Sequence, residues 1–103
     1  MKKYYGHYRF YQLIEEIKEL HSKKNYGYSE NKDPLSNLRA SEAMGVEGWK
    51  GVIIRLTDKF SRVMQLAKGK PDLVGESLKD TLQDISVYAL LCIILYEEWL
   101  KKK

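Results

Sequence analysis

The sequence predicts an all-α protein, a helical bundle of three long helices and one short helix. Apolar residues recur at three- and four-residue steps over long stretches, which is the spacing of one face of a helix. No stretch shows the strict alternation of apolar and polar residues that is typical of strands. Proline and glycine stand between the periodic stretches, where they end helices. A chain of 103 residues has room for one core, so we expect a single domain over residues 1–103.

The first two predicted helices are separated by a polar loop. An amphipathic helix is expected over residues 8–24, because acidic and basic residues alternate there with a periodic apolar set. That set is Phe10, Leu13, Ile14, Ile17 and Leu20. Pro34 can open a short helix that runs to about Met44, since proline is tolerated in the first turn of a helix. Gly45 then suits the position just after the helix end.

Two longer helices follow. The first is expected from about Glu47 to Ala67, because its apolar residues fall within one narrow sector of the helix. They are Trp49, Val52, Ile53, Leu56, Phe60, Val63 and Ala67. The segment 68–71, Lys-Gly-Lys-Pro, ends this helix because proline cannot continue it. The last helix is expected to begin at Asp72 or just after it and to continue to about Leu100.

The last predicted helix indicates self-association. Residues 85–96 are nearly all apolar, with only Ser86 as an interruption. A membrane span needs roughly 18 apolar residues or more, so no membrane association is expected. A helix that is apolar on every side is normally buried on every side, and a unit of this size covers only one face of it. We therefore expect a homodimer or a larger assembly such as a homotetramer.

The charge pattern argues against nucleic acid as a partner. Lys and Arg number 18 against 14 Asp and Glu, for a net charge of +4. The excess lies in Lys2, Lys3 and 101–103, and the rest of the chain is about neutral. A nucleic-acid-binding protein is expected to carry a basic stripe across its folded surface. We also expect no signal peptide and a cytoplasmic location, because no apolar segment follows the first lysines.

Three acidic residues stand four positions apart in the last predicted helix. They are Glu76, Asp80 and Asp84. Residues at this spacing share one helix face, and the same face becomes apolar further along, so it is expected to point into a crevice of the assembly. Like charges this close repel unless something compensates them. A divalent cation such as Mg²⁺, which prefers oxygen ligands, or paired lysine and arginine side chains can do so, and both possibilities are open.

Four stretches carry a resemblance to a known group of proteins. They are residues 23–29 (KKNYGYS), 33–38 (DPLSNL), 55–62 (RLTDKFSR) and 76–88 (ESLKDTLQDISVY). The chain resembles the small nucleotide-modification-associated domains of phages, which are similar to the all-α nucleotide pyrophosphohydrolases of the MazG-like and dUTPase-like kind. The resemblance covers residues 10–95. It implies a MazG-like bundle, completed by oligomerisation, in the cytoplasm of a bacterium or a phage-infected host.

The resemblance implies hydrolysis of a nucleoside or deoxynucleoside triphosphate to the monophosphate and pyrophosphate. In such enzymes acidic residues on two facing helices hold Mg²⁺, which neutralises the phosphates and orients a water molecule. Glu76, Asp80 and Asp84 match one acidic cluster, whereas Asp58 alone matches the other, which usually has several glutamates. The resemblance thus implies Asp58, Asp80 and Asp84 as catalytic residues, and the same three with Glu76 as metal ligands. The reduced cluster at Asp58 leaves an alternative open, a phage protein that binds or sequesters a nucleotide without hydrolysing it.

Seven residues are candidates for contacts with the nucleotide, and each has a structural alternative. Basic side chains near Asp58 can bind phosphates or form local ion pairs on a solvated face. In the loop after the first helix, tyrosines can stack on a base or anchor the loop, and a lysine can meet a phosphate. An asparagine can bind a base or cap a helix turn. The candidates are Lys23, Tyr26, Tyr28, Asn37, Arg55, Lys59 and Arg62.

Overall fold

The computed structural model describes residues 3–26, 33–71, 73, 75 and 77–103. The described residues form helices and contain no strand, which confirms the predicted all-α class. In chain order the elements are α1 (Tyr8–Tyr26), a 3₁₀ helix (Ser36–Met44), α2 (Gly48–Ala67) and α3 (Leu78–Lys101). Within the described ranges, no helix is both long enough and apolar enough to cross a membrane.

The chain divides into two compact units, Met1–Pro34 and Leu35–Lys103. In the first unit, α1 begins at the predicted residue and ends two residues later than predicted. The hydroxyl group of Tyr11 donates to the backbone carbonyl of Tyr5, which ties the start of α1 to the segment before it. No residue of α1 is buried. The prediction of a single domain stays a prediction.

In the second unit, α2 and α3 form an antiparallel hairpin. Lys59 of α2 pairs with Asp84 of α3, whereas the carbonyl of Trp49, earlier in α2, accepts from Cys92, later in α3. The core between the helices is small. Its buried residues are Leu35, Val52 and Leu95, and Leu38, Trp49, Leu56, Tyr88, Leu91 and Cys92 pack around them.

The 3₁₀ helix packs on one side of this hairpin. Arg39 Nη2 lies 2.7 Å from Glu98 Oε2 of α3, and Arg55 Nη2 of α2 donates to the backbone carbonyl of Asn37 over 3.4 Å. The predicted short helix is therefore present, although it is of the 3₁₀ type and begins at Ser36, after a turn that contains Pro34. Gly45 follows it with a φ of 78°, which confirms its predicted place at the helix end.

The predicted start of α3 at Asp72 is wrong, because the helix begins at Leu78. Ser77 forms a capping box with Asp80: the serine hydroxyl accepts from the Asp80 backbone N–H at 3.1 Å, and the Asp80 carboxylate accepts from the Ser77 backbone N–H at 3.2 Å. This local exchange fixes the helix start. Gly75, with a φ of 73°, lies just before it in a left-handed conformation. Asp72 itself lies outside the described residues.

Replacing Ser77 by alanine is expected to lower the free energy of unfolding by about 1 kcal/mol, because an N-cap side chain contributes about that much. Chemical denaturation followed by circular dichroism measures the change. The matched control is Ser61→Ala, the same substitution at an exposed position in the middle of α2, where alanine is the better helix former. An equal loss of stability in both variants would contradict a capping role for Ser77.

Candidate functional site

Five of the predicted site residues lie on one side of the hairpin. Lys59 and Asp84 are in contact across it. Arg55 and Arg62 stand four residues before and three residues after Lys59, and Asp80 stands four before Asp84, so they share the faces of these two residues. It is the side on which the 3₁₀ helix packs, since Arg55 also contacts Asn37. We call these five residues the charged groove.

The central contact of the charged groove is an ion pair. Lys59 Nζ lies 3.0 Å from Asp84 Oδ2, and the two side chains are only 26% and 33% exposed. Because they are partly shielded from water, their attraction is less screened than that of an exposed surface pair. A paired basic side chain, which is one of the two kinds of compensation that the sequence leaves open, is therefore present at Asp84.

Asp80 has a structural partner of its own. Its Oδ2 accepts from the backbone N–H of Ser77 at 3.2 Å and from the Ser77 hydroxyl at 2.9 Å. A carboxylate in the first turn also interacts favourably with the positive end of the helix dipole. Asp80 therefore caps α3. Glu76, the third acid of the predicted set, lies outside the described residues.

Asp58 and Arg62 line an open depression beside the C-terminal half of α2. The depression has a volume of about 330 Å³, and Lys70 contributes a second basic side chain to it. The other described residues that line it are Ser61, Gln65, Leu66 and Pro71. Among the described lining residues, two basic groups against one carboxylate favour an anion in this position. Lys70 was not predicted as a site residue, because its place in the segment between two helices indicated only a helix end.

The described carboxylates do not gather into a cluster of three or more ligands. No group of three or more His, Cys, Asp or Glu among the described residues is arranged to hold a metal ion. Asp80 is engaged by Ser77, and Asp84 is paired with Lys59. A magnesium ion bound mainly by the phosphates of a nucleotide needs only one or two protein carboxylates. Asp58, which lines the depression, can supply such a carboxylate.

The other predicted contact residues lie on α1 and on the 3₁₀ helix, apart from one that is not described. Lys23 and Tyr26 lie in the last turn of α1 and are exposed, Tyr26 to 84%. Tyr28 lies outside the described residues. Asn37 is exposed in the 3₁₀ helix, and its backbone carbonyl accepts from Arg55. The predicted contacts of these residues with a base or a phosphate stay predictions.

An aromatic cluster at the other end of the hairpin was not predicted. The rings of Trp49, Tyr96 and Trp99 lie 5.2 to 5.8 Å apart between their centroids, and Lys50 and Lys103 lie over two of them. The three-residue step between Tyr96 and Trp99 indicates that these two side chains lie on the same face of α3. The contribution of Trp49 depends on the register between two helices, which the sequence pattern does not specify.

Comparisons with known proteins give no family for this chain. No protein-family model matches the sequence, and no curated protein and no solved structure matches it either. The resemblance to the MazG-like group therefore stays a prediction that rests on the four stretches quoted above.

Proposed function

We propose that the protein binds a nucleotide through its phosphates at the charged groove and the adjoining depression. The observation that carries this proposal is the pair of basic side chains, Arg62 and Lys70, that line an open depression. Arg55 and Lys59 lie on the same side of α2 as Arg62. A guanidinium group matches the geometry of a phosphate and can donate two hydrogen bonds to it.

The charges of the site suit an anion that brings its own metal ion. Among the described residues the site has four basic side chains and three carboxylates, and two of those carboxylates, Asp80 and Asp84, already have partners. A nucleoside triphosphate that carries Mg²⁺ has phosphates for the basic groups and needs few ligands from the protein. The resemblance to phage nucleotide-modification-associated domains supports a nucleotide as the anion, and a bacterial or phage-infected cytoplasm as its setting.

Hydrolysis to the monophosphate and pyrophosphate is the second candidate function. It is favoured by the placement of Asp58 on α2 and Asp84 on α3, two helices packed side by side. Acidic residues on two facing helices are what the resemblance implies for the pyrophosphohydrolases. Binding is the better supported function, because Asp80 and Asp84 are engaged by protein groups.

Arg62→Ala is expected to weaken nucleotide binding at least tenfold, which corresponds to about 1.4 kcal/mol. Isothermal titration calorimetry with each common NTP and dNTP in the presence of Mg²⁺ measures the affinity. Lys101→Ala is the matched control, since it removes one positive charge from the exposed last turn of α3. If no nucleotide binds to the wild-type protein, or if both variants lose affinity equally, the charged groove is not the binding site.

A turnover assay separates the two functions. The wild-type protein is incubated with each triphosphate and Mg²⁺, and the products are resolved by anion-exchange chromatography. The binding function predicts intact triphosphate in every sample. Monophosphate and pyrophosphate from one or two substrates, lost on addition of EDTA, would establish the hydrolase instead.

A further inference from the structure

The side of the hairpin opposite the charged groove is apolar and exposed. Eight large apolar residues on this side each expose between 39% and 57% of their surface. We call them the apolar face: Ile53, Phe60 and Met64 of α2, and Leu78, Leu82, Ile93, Tyr96 and Leu100 of α3. A contiguous apolar surface is typical of an interaction site rather than of a solvated surface.

The two stripes of the apolar face lie on the same side of the hairpin. At about 100° per residue, the stripe on α2 is rotated by roughly 80–120° from Val52 and the stripe on α3 by roughly 100–160° from Leu95, in the same sense relative to the chain direction. Because α2 and α3 are antiparallel, rotations in the same sense lead to the same side. Arg55 and Glu98, which contact the 3₁₀ helix, are rotated in the opposite sense. The 3₁₀ helix therefore leaves the apolar face uncovered.

The apolar face is large enough for a stable interface. A large apolar residue has an accessible surface of about 200 Å² when it is fully exposed. Eight such residues, each about half exposed, therefore present roughly 700–800 Å² of apolar surface to a partner. A protein–protein interface of standard size buries about 800 Å² on each partner. The stripe on α3 contains no charged residue from Leu78 to Leu100.

The stripe on α3 has the symmetry of a contact between two identical helices. The apolar residues of this stripe occur in pairs, and the two members of each pair are the same number of residues before and after Ala89 in the sequence. Leu78 and Leu100 are 11 residues away, Leu82 and Tyr96 are 7 away, and the partly buried Ile85 and the exposed Ile93 are 4 away. When two copies of α3 pair antiparallel with Ala89 at the centre, every apolar residue meets an apolar residue. An isologous two-fold interface requires this self-complementarity, and the small side chain of Ala89 permits close approach at its centre.

The charges beside the stripe are complementary in the same arrangement. Lys79 and Glu97 are exposed on the same flank of the stripe. They lie 10 residues before and 8 residues after Ala89. In the antiparallel pair, Lys79 of one copy therefore lies beside Glu97 of the other, about 3 Å apart along the helix axis at 1.5 Å per residue. The two-fold axis produces this pair twice.

We propose that the apolar face binds the apolar face of a second copy of this chain, with the two α3 helices antiparallel and the two-fold axis at Ala89. The two hairpins then form a four-helix core, and the two charged grooves lie on its outer sides. The proposal does not depend on nucleotide binding, and its tests use no nucleotide.

Ala89→Cys tests the position of the axis, because a residue on a two-fold axis meets its own copy. Mild oxidation of this variant is expected to give a disulfide-linked dimer on non-reducing electrophoresis. Leu90→Cys is the matched control, since Leu90 is 60% exposed but lies one residue away, off the stripe. The native Cys92 is present in both variants and in the wild-type baseline, and burial raises the pKa of its thiol, which slows its oxidation. Equal or absent cross-linking in the two variants would overturn the proposal.

Sedimentation velocity gives a second, independent test. The wild-type protein is expected to sediment as a dimer. Lys79→Glu places two repulsive pairs in the interface and is expected to raise the dissociation constant of the dimer about tenfold. Adding Glu97→Lys to this variant is expected to restore the dimer. Rescue by the second charge reversal cannot result from misfolding. A monomeric wild-type protein, or a failure of the double variant to recover, would overturn the proposal and leave the face to a segment of the same chain or to a different protein.

Discussion

Leu95→Ala is expected to lower the free energy of unfolding by about 3 kcal/mol, within the range found for a leucine truncated in a protein core. Leu95 is only 3% exposed and forms the buried cluster together with Leu35 and Val52. The substitution removes apolar surface from this cluster and leaves a cavity that a helix backbone cannot close. Because the whole stability of a domain is about 5–15 kcal/mol, the loss is a large share of the total. Urea denaturation followed by circular dichroism measures it.

The matched control for this prediction lies five residues earlier on the same helix. Leu90→Ala is the same substitution at a residue that is 60% exposed, and surface substitutions usually change stability by less than about 0.5 kcal/mol. Losses of similar size in the two variants would show that Leu95 is not a core residue. The denaturation is measured over a range of protein concentrations, because the stability of a dimer depends on concentration.

The helices could be predicted from the sequence because their signals are local. Apolar spacing marks the extent of α2, and Gly45 marks the end of the 3₁₀ helix. The predicted start of α3 was wrong, although the signal for the true start, the Ser77–Asp80 capping box, is also local. The capping box lies in a segment that is rich in polar residues. Acidic residues that suggest a first turn therefore occur on both sides of the true start.

The candidate site could be predicted only in part. The spacing of Arg55, Lys59 and Arg62 places them on one face of α2 whatever that helix packs against. The partner of Lys59 was not predictable, because Asp84 lies 25 residues away and their contact depends on the register of the two helices. That register is set by the packing of Val52 and Leu95. Long-range pairs of this kind are properties of the packed core and not of a periodic pattern.

Gly51→Ala is expected to lower the free energy of unfolding by about 2 kcal/mol, as overpacking typically does. In the interior of a helix this substitution normally stabilises by up to about 1 kcal/mol. Here the new Cβ would lie 2.8 Å from Ser41 Cβ and closer still to Ser41 Oγ. Ser41 cannot yield easily, because its hydroxyl donates to the backbone carbonyl of Val46 at 3.1 Å. A loss of stability in Gly51→Ala would therefore indicate a tight contact between α2 and the 3₁₀ helix, whereas a gain would indicate that this contact is loose.

Two further variants isolate this contact. Gly48→Ala is the matched control in the same helix, since its new Cβ would approach most closely the end of the flexible Glu42 side chain, at 3.3 Å. We expect little change in stability there. Ser41→Gly removes the obstacle, so the double variant with Gly51→Ala is expected to be more stable than the sum of the single changes predicts. Simple additivity in this cycle would mean that Gly51 and Ser41 do not touch.

The same cycle connects the packing of the 3₁₀ helix with the charged groove. Arg55 donates to the carbonyl of Asn37, so displacement of the 3₁₀ helix by Gly51→Ala also releases a basic side chain that is proposed to bind phosphate. An arginine that is already held by a hydrogen bond has lost part of its side-chain entropy before the nucleotide binds. A freed arginine loses this entropy on binding, and the loss weakens the binding. Nucleotide affinity is therefore expected to fall in Gly51→Ala and to recover in the double variant with Ser41→Gly. Affinity that stays constant while stability changes would show that Arg55 takes no part in binding, and would leave that role to Arg62 and Lys70.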